Sequence, residues 1–167
     1  MLRVIVGLTA LFFALNAYAL NGSEEHWGVT EETDGFTDNS VVTAMVVAEG
    51  GPENGFILLT CYSDGFEGKV SAGEYIGDKR IRDNFKFRVD EENPVELTMK
   101  PTSKTYVYFN NFNSPFFKAL ENGKSTILVQ LRSYDYDTSS ARYTLRGSTN
   151  AVREVKEACK NRGRNAD

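Results

Sequence analysis

The stretch FILLTCY, Phe56–Tyr62, decides how the rest of the chain reads. It is a short run of apolar, β-favouring residues interrupted only by Thr60. A run this short and continuous predicts a strand buried on both faces, in the middle of a sheet or sandwich. Cys61 lies near its end, and the only other cysteine is Cys159. Residues 150–159 place Val152, Val155 and Cys159 three and four apart, with Ala151 and Ala158 beside them. That spacing is one apolar face of a helix. Cys159 therefore points the way the core-facing valines point, as a bridge to a buried strand requires. A single disulfide, Cys61 to Cys159, is expected to tie a C-terminal helix onto the sheet. It would close a long loop, for which chain entropy gives at most about 4–5 kcal/mol.

The N-terminus bears on the compartment in which such a bond survives. Arg3 precedes an apolar run over residues 4–15, and Ala17-Tyr18-Ala19 offers small residues where a signal peptidase reads. This is the pattern of a cleaved secretory signal over residues 1–19, and the run is short for a bilayer span. Cleavage leaves residues 20–160 as one domain, followed by a polar tail, 161–167, expected to be disordered. No second long apolar segment follows, so no membrane span is expected in the mature chain. Two cysteines in an exported chain favour a disulfide over free thiols or a metal site. The formal net charge of −4 lacks the basic footprint of a nucleic-acid binder. Asn21-Gly22-Ser23 matches an N-glycosylation acceptor, relevant only in a eukaryotic source.

Outward from residues 56–62, short apolar runs alternate with turn clusters. Residues 27–33 suggest a first, edge strand, and residues 41–48 (VVTAMVVA) a second. Residues 49–55 (EGGPENG) join that strand to FILLTCY as a hairpin. Residues 67–71 return as a strand, and residues 72–83 read as a solvated loop or exposed hairpin. Phe85, Phe87 and Val89 alternate with Lys86, Arg88 and Asp90, as do Val95, Leu97 and Met99 with their polar neighbours, predicting a second hairpin. Residues 105–109 are β-rich. Ser114 is placed to cap a short helix that has Pro115 at its first position, and Asn122-Gly123 ends it. Residues 125–131 and 141–145 flank a polar turn, residues 133–140 (SYDYDTSS). About eight strands with turns between them predict a mainly β fold, an antiparallel β-sandwich with one short helix and the C-terminal helix.

Several of these features fall in a familiar order. Asp38-Asn39-Ser40 precedes the Val-rich strand, and Leu58-Leu59-Thr60-Cys61 follows it. Then come the alternating residues 85–90, the aromatic-then-helix stretch 109–120, and Ala141-Arg142-Tyr143-Thr144-Leu145-Arg146-Gly147 before a helix with a final cysteine. Over residues 27–159 this resembles the VasI/TagO family of exported proteins associated with type VI secretion. The resemblance implies a periplasmic β-sandwich accessory protein without a known reaction. Relatives outside secretion clusters, including on phage genomes, would leave the pathway open.

No catalytic set stands out. There is one histidine, His26, and neither a nucleophile motif, a zinc motif nor a phosphate loop occurs. Glu67, Glu74, Asp90, Glu91 and Glu92 are carboxylates of ordinary surface type, and spacing alone makes no glycosidase pair of them. Asp135 and Asp137 offer fewer oxygen ligands than a calcium loop needs, so neither metal nor cofactor is expected. Tyrosine-rich loops do make protein contacts. The candidate partner-binding residues are therefore Tyr134, Asp135, Tyr136, Asp137 and Phe112. Phe112 belongs to an aromatic group with Tyr106, Tyr108, Phe109, Phe116 and Phe117, most of which should be core. The expected function is non-catalytic binding in the periplasm, through a protein partner in the cell envelope. The alternatives are a phage-encoded protein blocking a host component, an inhibitor of a cell-wall hydrolase, and a small wall hydrolase.

Overall fold

The computed structural model describes residues 22–33, 35, 38, 40–74, 76–77, 81–101 and 104–161. The expected signal segment with its cleavage point, the Asn21 acceptor and the tail beyond residue 161 lie outside the described residues.

Ten strands and two helices follow in order among the described residues: β1 Gly28–Thr33, β2 Ser40–Val47, β3 Phe56–Tyr62, β4 Gly65–Ser71, β5 Phe85–Val89, β6 Val95–Leu97, β7 Lys100–Pro101, β8 Tyr106–Phe109, α1 Pro115–Asn122, β9 Thr126–Arg132, β10 Thr138–Thr144 and α2 Ser148–Asn161. All strand pairs are antiparallel, in a six-stranded sheet ordered β1-β2-β3-β4-β8-β7 and a four-stranded sheet ordered β10-β9-β5-β6. FILLTCY is the third strand of the larger sheet. Its burial is unequal on the two faces. Ile57, Leu59 and Cys61 are fully buried, while on the other face Thr60 is buried and Phe56, Leu58 and Tyr62 are half-buried.

The core lies between the sheets and fits the two-residue period of the strands. Phe85, Phe87 and Val89 face Ile127, Val129 and Leu131 across β5 and β9, all buried. Phe116 of α1 enters among Phe85, Phe87 and Phe109, with ring centroids 4.9, 5.3 and 5.6 Å away and planes near perpendicular. Edge-to-face pairs of this kind add about 0.5–1.5 kcal/mol each beyond area burial. Phe109 pairs with Gly68 on β4, and a Cβ at Gly68 would sit 2.3 Å from its ring. The missing side chain lets the ring lie flat on the strand.

Helix α1 begins and ends as its sequence suggests. The Ser114 hydroxyl accepts the Phe117 N–H at 3.1 Å, Pro115 opens α1, and the Gly123 N–H returns to the Ala119 carbonyl at 2.8 Å. The helix α2 starts at Ser148, before the expected residue 150, and buries Ala151, Val152, Val155 and Cys159. It packs on β2 and β3 and on α1. Thr149 donates its hydroxyl to the Glu121 carbonyl at 2.9 Å, joining the two helices. Cys159 is bonded to Cys61 with Cα atoms 5.6 Å apart.

Three sequence expectations are corrected. The strand expected through residues 95–100 is divided: Val95–Leu97 joins the four-stranded sheet, and Lys100–Pro101 pairs with β8 in the other. Asn84 fixes that crossing from inside, since its amide donates to the Met99 carbonyl at 3.0 Å and accepts the Met99 N–H at 2.8 Å. The last strand begins at Thr138 and not at residue 141, because Ser139 is small enough to face inward in a polar stretch. Residues 72–83 form no strand among the described residues, and Ile76 is buried.

Tyr143 reaches across from β10 and donates its hydroxyl to the Ser71 carbonyl at the end of β4. Burial pushes its phenol well above the usual range. Trp27, buried at the chain entrance, donates its indole N–H to the Thr144 carbonyl at 3.0 Å.

Candidate partner-binding loop

The hairpin of β9 and β10 carries the loop 133–137 at its tip. Ser133 organises it. Its N–H donates to the Asp137 carbonyl at 2.8 Å, and its carbonyl accepts the Tyr136 N–H at 3.1 Å. Its buried hydroxyl bonds the Asp135 carboxylate. These bonds occupy the backbone and leave the two tyrosines at the surface. Tyr134 is 39 % and Tyr136 71 % exposed, two of the three large exposed apolar side chains among the described residues.

The two rings are held differently. Tyr134 lies along Gly77, where a Cβ would stand 2.4 Å from the ring. Tyr136 has φ of 73°, in the left-handed region that aromatic residues rarely enter. Such a conformation costs on the order of 1–3 kcal/mol and is held by its surroundings. The Arg132 guanidinium sits 5.6 Å from the centre of the Tyr136 ring and donates to the Arg82 carbonyl at 2.7 Å. The tip thus presents a fixed aromatic ring, backed by a cation and flanked by the exposed carboxylates of Asp135 and Asp137. That surface suits a protein contact.

Four of the five candidate residues are therefore together. The fifth, Phe112, is inside: it is 5 % exposed and stacks on Phe66 with centroids 4.1 Å apart and on Phe117 at 4.7 Å. An aromatic residue in an Asn-rich turn is drawn inward here by two neighbouring rings, so it forms no part of the exposed tip. Sequence reasoning missed Ser133 and Arg132. A serine two residues before an aspartate is a recurrent turn former, which was the available signal for the first.

Glu67 pairs with Lys69 at 3.2 Å, and Asp90 accepts the Thr126 N–H at 2.9 Å, closing the start of β9. His26 bonds the Ser23 hydroxyl through Nδ1 at 3.0 Å. Among the described residues no group of three or more His, Cys, Asp or Glu side chains is placed to hold a metal ion. No described helix is long and apolar enough to cross a membrane.

No family model matches the chain, and no curated protein is similar to it. Among solved structures, it is similar to the crystal structure of invasion associated protein B from Bartonella henselae. The identity is 15 %, the TM-score 0.52, and the match covers 83 % of this chain and 95 % of that one. At this identity the likeness is one of fold.

Proposed function

We propose that this chain is an exported, non-catalytic binding domain that acts through a protein partner in the cell envelope, with the loop 133–137 as its contact. The observation that carries the reading is Tyr136: an exposed ring on a backbone conformation that a structural turn would assign to glycine. The disulfide supports an oxidising compartment. The sequence resemblance to VasI/TagO proteins supports an accessory role in the periplasm, within which a secretion apparatus is the first partner to test.

A photo-crosslinking residue at position 136 tests this in cells. Labelling of one dominant envelope protein is expected from position 136 and not from position 153, on the exposed face of α2. Equal labelling from both positions, or none from 136, would refute the reading. Recovery of the protein in the cytoplasmic and not the osmotic-shock fraction would refute its location.

A further inference from the structure

We infer that the free edge of β6, with the groove between it and α1, receives an extended segment of a partner protein that has apolar residues at alternate positions and basic residues between them. This goes beyond the proposed function and rests on other residues. The groove also lies at the end of the four-stranded sheet away from the tyrosine tip. Val89 at its floor pairs with Ile127 at the start of β9, whereas the tip follows Arg132 at the end of that strand.

Among the described residues the two sheets have four edges, and three of them carry features that discourage a further strand. On β10 the outward carbonyls of Arg142 and Thr144 accept the Glu49 N–H at 2.9 Å and the Trp27 indole at 3.0 Å. β7 is two residues long and ends in Pro101, which has no N–H to donate. β1 carries exposed Glu31 and Glu32 in its second half. These are the usual devices against unwanted strand pairing. β6 is also short, at three residues after Pro94, but it contains no proline itself and its outward backbone groups are not taken up by another segment among the described residues. Its residues 95–97 pair with β5 on one side, and no backbone bond reaches their other side among the described residues.

The interior is also open at that edge. Val95 is 37 % exposed although it stands beside Phe87 on the core face, and Leu97 is only partly covered. Between Val95 and α1 runs a groove of about 300 Å³, with Phe87, Val89 and Val95 on the sheet side and Pro115, Lys118 and Ala119 on the helix side. An added strand would place alternate side chains in this groove. Main-chain bonds would supply affinity and the groove selectivity, as in other strand additions.

Charge specifies the guest's other face. Glu96 is on the solvent face of β6, and Glu91 and Glu92 are exposed in the turn before it. Lys86 pairs with Glu96 at 2.5 Å and holds its carboxyl below the usual range, so it stays ionised. A guest strand beside β6 sets its outward residues opposite Glu96, where a lysine or arginine is favoured. Lys118 on the helix wall disfavours a basic residue pointing inward. A second copy of β6 would set Glu96 against Glu96, so self-pairing is disfavoured.

The probe is a capped eight-residue peptide alternating valine and lysine. Its controls are a block peptide of the same composition and an alternating valine–glutamate peptide. Saturable binding is expected for the first alone, with slowed amide exchange confined to β6. Val95→Lys and Ala119→Gln are each expected to weaken binding about tenfold or more. Both sites are partly exposed, and an unchanged thermal melt confirms folding. Equal binding of the block peptide would overturn the inference. So would insensitivity to either folded variant, protection elsewhere, or no binding at about 1 mM peptide. None of these results touches the crosslinking at position 136.

Discussion

Reducing the Cys61–Cys159 bond should cost most of what an ordinary domain has to lose. The bonded residues are 98 apart in sequence. Chain-entropy reasoning for a loop of that size gives about 4.7 kcal/mol at 25 °C, through the freedom returned to the unfolded chain. Domain stabilities run at about 5–15 kcal/mol, so the reduced protein should stay folded only by a small margin. With a urea slope of about 2 kcal/mol/M, the midpoint should fall by about 2 M. The slope itself should rise, because the unfolded chain expands once the link is cut. Trp27, the single tryptophan, is buried and reports the transition by fluorescence, with far-UV circular dichroism as the second probe of two-state behaviour. Reduction of the unaltered protein removes no side-chain volume and so reads mainly the chain term. The pair Cys61→Ala and Cys159→Ala adds a packing loss, since both residues are buried. The helix α2 should remain docked in either case, because Ala151, Val152 and Val155 stay buried without the bond. A loss below about 1 kcal/mol on reduction would refute the reasoning.

Tyr143→Phe should cost about 1–2 kcal/mol by leaving the Ser71 carbonyl without its hydroxyl donor, read by urea denaturation. The same residue sets an alkaline limit: its folded phenol titrates above its unfolded value of about 10, so its share of stability is complete below that pH and drains away as pH rises beyond it. The phenylalanine variant should show a shallower alkaline loss in melts taken across pH 9–12. Gly68→Ala should destabilise by about 1–3 kcal/mol through the Phe109 ring, and a double-mutant cycle with Phe109→Leu should recover part of that cost; additive losses would show that the contact is not the cause. Asn84→Ala should cost about 2–3 kcal/mol and speed exchange of the Met99 amide, and unchanged exchange would count against its role in the crossing.

Where burial follows a local period, the sequence alone is informative. The alternation in FKFRV and the three-and-four spacing of Val152, Val155 and Cys159 each bury the face they advertise. The capping of α1 was equally readable, because Ser114, Pro115 and Gly123 act within one turn of chain. The division of residues 95–101 was not. It depends on Asn84 bonding a backbone fifteen residues away, and no periodicity records such a contact. The start of β10 was hidden because Thr138-Ser139-Ser140 has the composition of a turn. At the candidate tip, sequence located the tyrosines but not the conformation of Tyr136, since left-handed backbone is normally signalled by glycine or asparagine. Phe112 was misplaced because its neighbours in sequence are polar while its neighbours in space are rings.

The order of the cysteines along the chain has a consequence for maturation. Cys159 follows the ten strands of the described residues, whereas Cys61 lies on the third. During synthesis from the N-terminus, every β segment is available before the second thiol arrives. Both sheets can therefore assemble around a lone thiol, and with only two cysteines no scrambled intramolecular isomer exists to be corrected. The cross-link acts as a latch on finished work, and an isomerase has nothing to sort.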